Sequence, residues 1–259
     1  MTPDRSVRFA RQPEAGAVVD LIRSSFPERV IERTIYGCSG VVPYVRALTG
    51  GSPYLSPRHL VAVRAAEVVA AAELAVAGSD LFLSYIATRA VLRSHGFGTS
   101  LLAAAVRHGL DAGLKTMTLD VFVENARARS WYQAFGFSPV EERGWWEVPT
   151  VATTQSLGSV SGWPQAEVCQ SAFGFSEIVI WTANGLSRVG RLGLDWFRAP
   201  SLSTLLDDQM IGTLHEIDPR RRILVMGPID RSSSETEPLL RLIRLRAVLS
   251  DLTERMGRI

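Results

Sequence analysis

The chain has 259 residues, a hydrophobic share of 46%, a charged share of 21% and a formal net charge of +2, a composition that fits an ordinary globular protein of one elaborated domain or two smaller ones. No apolar run approaches the ~20 residues of a membrane-spanning helix, and the basic residues are scattered among Asp and Glu, so neither a membrane span nor a nucleic-acid footprint is expected. The stretch MTPDRSVRF lacks the apolar core of a secretory signal, and the two cysteines, Cys38 and Cys169, have no metal-ligand spacing, so a cytoplasmic protein without metal is expected.

SVRFARQ predicts a first strand and PEAGAVVDLIRSSF a helix, with Val18, Leu21, Ile22 and Phe26 at helical spacing. ERVIERTIYGCSGVVPYVRAL continues as a less regular helical segment interrupted at Gly37, Gly40 and Pro43. Strands are predicted at about residues 59–64, 68–76 and 81–88 as an antiparallel meander. Its middle strand is rich in alanine, which by itself favours helix. After RSHGFG, Leu102, Val106 and Leu110 recur four apart, Arg107 is spaced to pair with Asp111, and Gly113 is placed to end the helix.

KTMTLDVFVEN reads as a strand, Asn125 as an N-cap, ARARSWYQAF as a short helix and Gly136 as its left-handed terminator. FSPVEERGWWEVP reads as a closing hairpin. TTQSLGSVSG offers almost no large apolar side chain to a core and reads as a linker, which predicts one domain over 1–150 and a second over 163–259. In the second, SEIVIWTA and RVGRLGLDWFRA flank an Asn184-Gly185 turn as a hairpin. STLLDDQMIGTLHEID reads as a helix, RRRILVMG as a buried strand and ETEPLLRLIRLRAVLSDLTERM as a long final helix. The order β, β, α, β, α repeats that of residues 68 to 135, as a degenerate structural repeat would.

The turn RSHGFGTSLL joins a strand to a helix. A helix start leaves several backbone N–H groups unpaired and carries partial positive charge, and so attracts phosphate. Gly96 and Gly98 let backbone approach a diphosphate closely, Arg93 adds a fixed charge, and the Thr99 hydroxyl stands at the helix start. A dinucleotide fingerprint needs a third glycine where Leu101 stands, and the Gly-Lys of a P-loop is absent.

LSYIATRAVLRSHGFGTSLLAAAVRHGL resembles the coenzyme A segment of the GNAT acyltransferase superfamily: Arg, two residues, Gly, any residue, Gly or Ala, met here by Arg93, Gly96 and Gly98. LDVFVENARARSWYQAFGF resembles the family's second segment, with Asn125, Ala128, Tyr132, Gly136 and Phe137 in step. The usual proline and acidic residue before the arginine are Ala90 and Val91, and Thr88 replaces the common valine. The resemblance covers about residues 5 to 148. It implies an α+β GNAT fold, a mixed central sheet flanked by helices; the repeated element order, in which FRAPSLSTLL lacks a glycine pair, makes the C-terminal part a second, smaller, degenerate GNAT-like half expected to wall the acceptor cleft or mediate homodimerisation.

The resemblance further implies acetyl-CoA as cosubstrate, a small-molecule amine as acceptor, and direct transfer in a ternary complex. Ile86, Ala87 and Thr88 are then expected to meet the pantetheine arm. Arg93, Ser94, His95, Gly96, Phe97, Gly98 and Thr99 would meet the diphosphate, with Asn125 and Ala128 further along the arm. Tyr132 is the expected proton donor to the departing thiolate. Glu73, in an otherwise apolar strand, is the candidate base, with Tyr85, Ser84, His59 and a water chain as competitors. Tyr36, Cys38 and Tyr44 are expected to line the acceptor pocket, and His108 and His215 to lie on helix surfaces. A non-catalytic CoA sensor or scaffold, or an enzyme for longer acyl groups or hydroxyl acceptors, is the alternative.

Overall fold

The computed structural model describes residues 5–51, 56–229 and 237–257. In chain order the first part runs β1 (Arg5–Phe9), α1 (Ala15–Ser25), α2 (Glu28–Ile31), α3 (Val41–Gly50), β2 (Arg58–Arg64), β3 (Glu67–Ala77), β4 (Asp80–Thr88), α4 (Phe97–Asp111), β5 (Thr116–Phe122), α5 (Ala126–Ala134) and β6 (Ser138–Pro149). There follow β7 (Ser159–Ser161), α6 (Trp163–Phe173), β8 (Phe175–Thr182), β9 (Gly185–Leu192), β10 (Trp196–Ala199), α7 (Asp208–Ile217), β11 (Arg222–Pro228), β12 (Leu240–Val248) and α8 (Leu249–Met256). The meander, the helix after the glycine turn and the Asn-Gly hairpin are where the sequence predicts them.

The chain divides into two compact units, each discontinuous in sequence. The first takes the described residues up to Pro27, Val42–Glu141 and those from Leu242 onward; the second takes Glu28–Val41 and Glu142–Arg241. The contiguous division at 1–150 and 163–259 expected from the linker-like composition therefore differs from the one the contacts draw. The supposed linker belongs to the second unit. Its β7 pairs with β8, the Gly158 N–H donates to Thr213 Oγ1 at 2.8 Å, and a Cβ on Gly212 would collide with Thr153.

In the first unit the strand order is β1-β2-β3-β4-β5-β12. β1 to β4 are antiparallel, β4 and β5 are parallel, and β12 returns antiparallel to β5. Ala70, Ala71 and Ala72 of β3 are all fully buried, and both α1 and α4 pack on that strand. Small side chains let two helices close on it, so packing overrides the helical preference of alanine. The core joins Leu60, Ala72, Leu81, Leu101, Leu102, Met117, Leu119, Tyr132 and Leu245.

β12 corrects the long final helix predicted for ETEPLLRLIRLRAVLSDLTERM; only α8, after it, is helical. Leu and Arg are good helix formers, but Leu240 and Leu242, and again Leu245 and Ala247, are buried on either side of an exposed arginine, a two-residue spacing that belongs to a strand. Leu242–Val248 pairs residue for residue with Phe122–Thr116. Arg244 reaches both carboxylate oxygens of Asp120 at 2.8 Å, and Arg246 reaches Asp80 at 3.1 Å. These charge-assisted bonds hold the register.

In the second unit the order is β6-β11-β10-β9-β8-β7, with β10 and β11 parallel and the other pairs antiparallel. β6 is one continuous strand paired with β11 from Arg143 to Pro149, not the closing hairpin expected of FSPVEERGWWEVP. Ile178, Ile180, Val189, Phe197, Met210, Leu214, Ile223 and Val225 form its core. The parallel pair β10/β11 joined through α7 repeats the plan of β4, α4 and β5.

Candidate active site

The first unit opens its sheet at one place. β4 pairs with β5 only from Asp80 to Leu83, while on its other edge it stays paired with β3 as far as Thr88. Between these two facts lies a register shift: Glu73 opposes Tyr85 and Leu74 opposes Leu83, so Ser84 is an extra residue. A bulge bends and twists its strand, and β4 leaves β5 where the bulge sits. Ser84–Thr88 therefore turn one row of backbone N–H and C=O groups toward the diverging side, which a ligand with alternating amides can meet as a strand would. Ile86, Ala87 and Thr88, expected to meet the pantetheine arm, are in this segment.

The turn after β4 delivers the chain into α4. Ser94 and Gly96 lie in the left-handed region, at φ 66° and 78°. Gly96 is the N-cap and gives α4 no side-chain cap. A Cβ there would have room, with Arg5 its nearest neighbour at 3.6 Å, so it is the backbone angle that favours glycine. A Cβ on Gly98 would lie 3.6 Å from the Trp131 ring. The first amides of α4 thus have no capping side chain, which is the state of a helix start that can bind an anion.

Three guanidinium groups come to this turn from three elements. Arg93 belongs to the turn and donates to the Thr88 carbonyl at 3.4 Å. Arg5, on β1, donates to the His95 carbonyl at 3.3 Å and to Ser100 Oγ at 2.6 Å, with its guanidinium 4.3 Å from the centre of the Phe97 ring. Arg127, on α5, donates to Ser94 Oγ at 2.7 Å. The His95 ring turns back onto the Arg93 carbonyl at 2.8 Å. Sequence reasoning identified Arg93 and missed the other two. Arg127 is in the first turn after the Asn125 cap and was within reach of pattern reading; Arg5 is 90 residues from His95 and left no local signal.

On α5, Asn125 Oδ1 accepts the Ala128 N–H at 3.1 Å, so the asparagine starts the helix as expected and commits one oxygen to doing so. Tyr132 is buried at 6% exposure, its ring packed near Trp131 and Phe137 with centroids at 4.8 and 5.5 Å. Burial pushes its hydroxyl well above the usual phenol range. A phenol so placed stays protonated at neutral pH, the form a proton donor requires.

A second group of functional side chains stands beside the bulge. The register sets His59, Glu73 and Tyr85 side by side across β2, β3 and β4. His59 Nε2 is 3.2 Å from Glu73 Oε2, and the two residues are 2% and 5% exposed. The Phe26 ring meets Tyr85 edge-on with centroids at 5.5 Å. Tyr44, on α3, feels the same carboxylate: burial, with the Glu73 charge adding to it, pushes its hydroxyl up. The structure thus brings together Glu73, Tyr44 and two of the competitors for the base, His59 and Tyr85. Tyr36 and Cys38 belong instead to the second unit, where both are buried, and a Cβ on Gly174 would touch Cys38.

Residues 43–137 match the family model described as the acetyltransferase (GNAT) family. No curated protein sequence matches the chain. Among solved structures, the chain is similar to a tandem GNAT protein from the clavulanic acid biosynthesis pathway, with 13% identity, TM-score 0.65, and 95% of this chain and 99% of that one covered. It is also similar to a GCN5-related N-acetyltransferase from Sphaerobacter thermophilus, with 13% identity, TM-score 0.64 and coverage of 96% and 97%. A third likeness is to a putative acetyltransferase from Pyrococcus horikoshii, with 12% identity, TM-score 0.65 and coverage of 94% and 89%. At these identities the likeness establishes the GNAT fold with a second GNAT-like half.

Proposed function

We propose that the protein transfers an acetyl group from acetyl-CoA directly to the amine of a small molecule within a ternary complex. The observation that carries this reading is the coincidence of two features: a β4 edge that parts from β5 at a bulge, and an α4 start with no side-chain cap directly after it. The first fits a pantetheine arm and the second fits a diphosphate.

In this reading the uncapped amides of α4, helped by Arg93, Arg5 and Arg127, hold the diphosphate. Backbone N–H groups near Ala87 steady the oxyanion as the thioester carbon becomes tetrahedral. Tyr132 gives its proton to the departing thiolate, and Glu73 takes one from the attacking nitrogen. Glu73 and Tyr44 face the acceptor amine, and a buried carboxylate beside aromatic rings suits a positively charged group.

Incubation with acetyl-CoA and a broad panel of amines should release free thiol for at least one acceptor, with CoA binding seen by calorimetry. Absence of both thiol release and CoA binding would refute the proposal. CoA binding without turnover on any amine or alcohol would favour a sensor.

A further inference from the structure

The row His59, Glu73, Tyr85 holds two members for which the chemistry above has no use, and of these His59 is in polar contact with the carboxylate. Glu73 is enclosed, so its carboxylate can be served only by the groups packed around it. Facing it from the packed elements are His59 on β2, Tyr85 on β4 and Tyr44 on α3. The residues that α1 buries, Val18, Val19, Leu21 and Ile22, are apolar. Of these groups the imidazole is the one whose ring nitrogens can either donate or accept a proton, and its Nε2 is 3.2 Å from Glu73 Oε2.

We propose that His59 is the positioning residue for Glu73 and shares the proton that Glu73 accepts, so that the pair acts as the base. This rests on the acetyl-transfer reading above. As the acceptor nitrogen bonds to the acetyl carbon and the C–S bond breaks, an initially cationic amine loses two protons. One replaces the proton that Tyr132 gives to the thiolate. The other passes to Glu73 Oε2, is held between it and His59 Nε2, and returns to solvent once product leaves.

The test is kcat and KM over roughly pH 5 to 9 for the wild type, His59→Ala, His59→Gln, Glu73→Gln and the His59→Ala/Glu73→Gln pair, using the acceptor found by the amine panel. His59→Ala should lower kcat about tenfold and displace the acid limb of the pH profile while leaving KM for acetyl-CoA unchanged. His59→Gln, which keeps a donor near the carboxylate, should recover part of the loss. In the Glu73→Gln background, His59→Ala should cost nothing further. An unaltered kcat and acid limb in His59→Ala, or an undiminished effect of that change without the Glu73 carboxylate, would overturn the proposal. Full activity of Glu73→Gln would instead sink the assignment of Glu73 as base, a separate failure. A readout without turnover is the NMR signal of the His59 ring. Glu73→Gln should move that signal, and an unmoved one would show that the two groups are not coupled.

Discussion

The two halves of this chain contain the same junction, a strand entering a helix that crosses to a parallel strand, finished in opposite ways. After β4, the N-cap of α4 is Gly96 in a left-handed conformation with no side chain to offer. After β10, the N-cap of α7 is Asp207, whose Oδ1 accepts the Met210 N–H at 3.0 Å and whose Oδ2 accepts from Thr182 at 2.7 Å; Asp208 follows in the first turn. Both helix starts favour negative charge for the same dipolar reason. One leaves that charge to a ligand, and the other fills the place with the protein's own carboxylate. β10 differs from β4 as well: all four of its residues stay paired with β11, so that strand pair does not part. On this comparison, the second half supplies from its own chain the charge that the first half leaves open at its helix start.

The largest effect concerns where the halves are completed. A fragment of residues 1–150 has no β12 and leaves the β5 edge unpaired, with Asp120 on β5 and Asp80 on β4 without Arg244 and Arg246. It should lack a cooperative thermal transition, whereas the whole chain should show one. A fragment that melts as sharply as the full protein would show that β12 is an accessory to the first unit.

Next in size is an exchange of caps. Gly96→Asp places a carboxylate over the first amides of α4 and should weaken CoA binding by about 100-fold, since charged hydrogen bonds of this kind contribute on the order of 2–3 kcal/mol. Gly96→Asn, similar in shape and tolerant of the left-handed region, should weaken it only several-fold. Equal losses in the two variants, measured by calorimetry, would mean that shape and not charge governs the turn. The converse change, Asp207→Ala, should lower unfolding stability by about 1 kcal/mol through the lost cap and leave CoA affinity where it was.

The smallest effect is on acid stability. Burial opposes ionisation of Asp207, but hydrogen bonds from Thr182, the Met210 amide, Asn184 and the Gln209 amide outweigh it and hold the carboxyl below the usual range. Asp80 is held low by Thr116, against burial, with Arg246 assisting. Depressed carboxylates stabilise the fold above their unfolded pKa, about 4, and the contribution is lost as pH falls through the lower, folded values. Denaturant melts should therefore show stability falling below about pH 4, and less steeply in Asp207→Asn. An identical acid slope in that variant would remove Asp207 from the account.

What could be read from the residues alone was local. The glycine turn, the Asn125 cap, the meander and the Asn-Gly hairpin each depend on neighbours within a few positions, and each formed. Long-range pairing was not legible. LRLIRLRAV satisfies helix preference as well as strand alternation, and only the edge of β5 decides between them. EERGWWEV contains no signal that it will run on as one strand beside β11. At the site, Glu73 drew notice as a charge in an apolar strand, but its partnership with His59 depends on the β2/β3 register, and Arg5 reaches the turn only because β1 is the edge strand of that sheet.

The central claim is that the start of α4, and not that of α7, holds the diphosphate of acetyl-CoA. A crystal structure with CoA bound tests it most directly. The account predicts diphosphate oxygens within hydrogen-bonding distance of the backbone amides from Gly96 to Ser100, with the arm running along Ser84–Thr88 where β4 leaves β5. CoA seated elsewhere, with those amides facing only water, would contradict it.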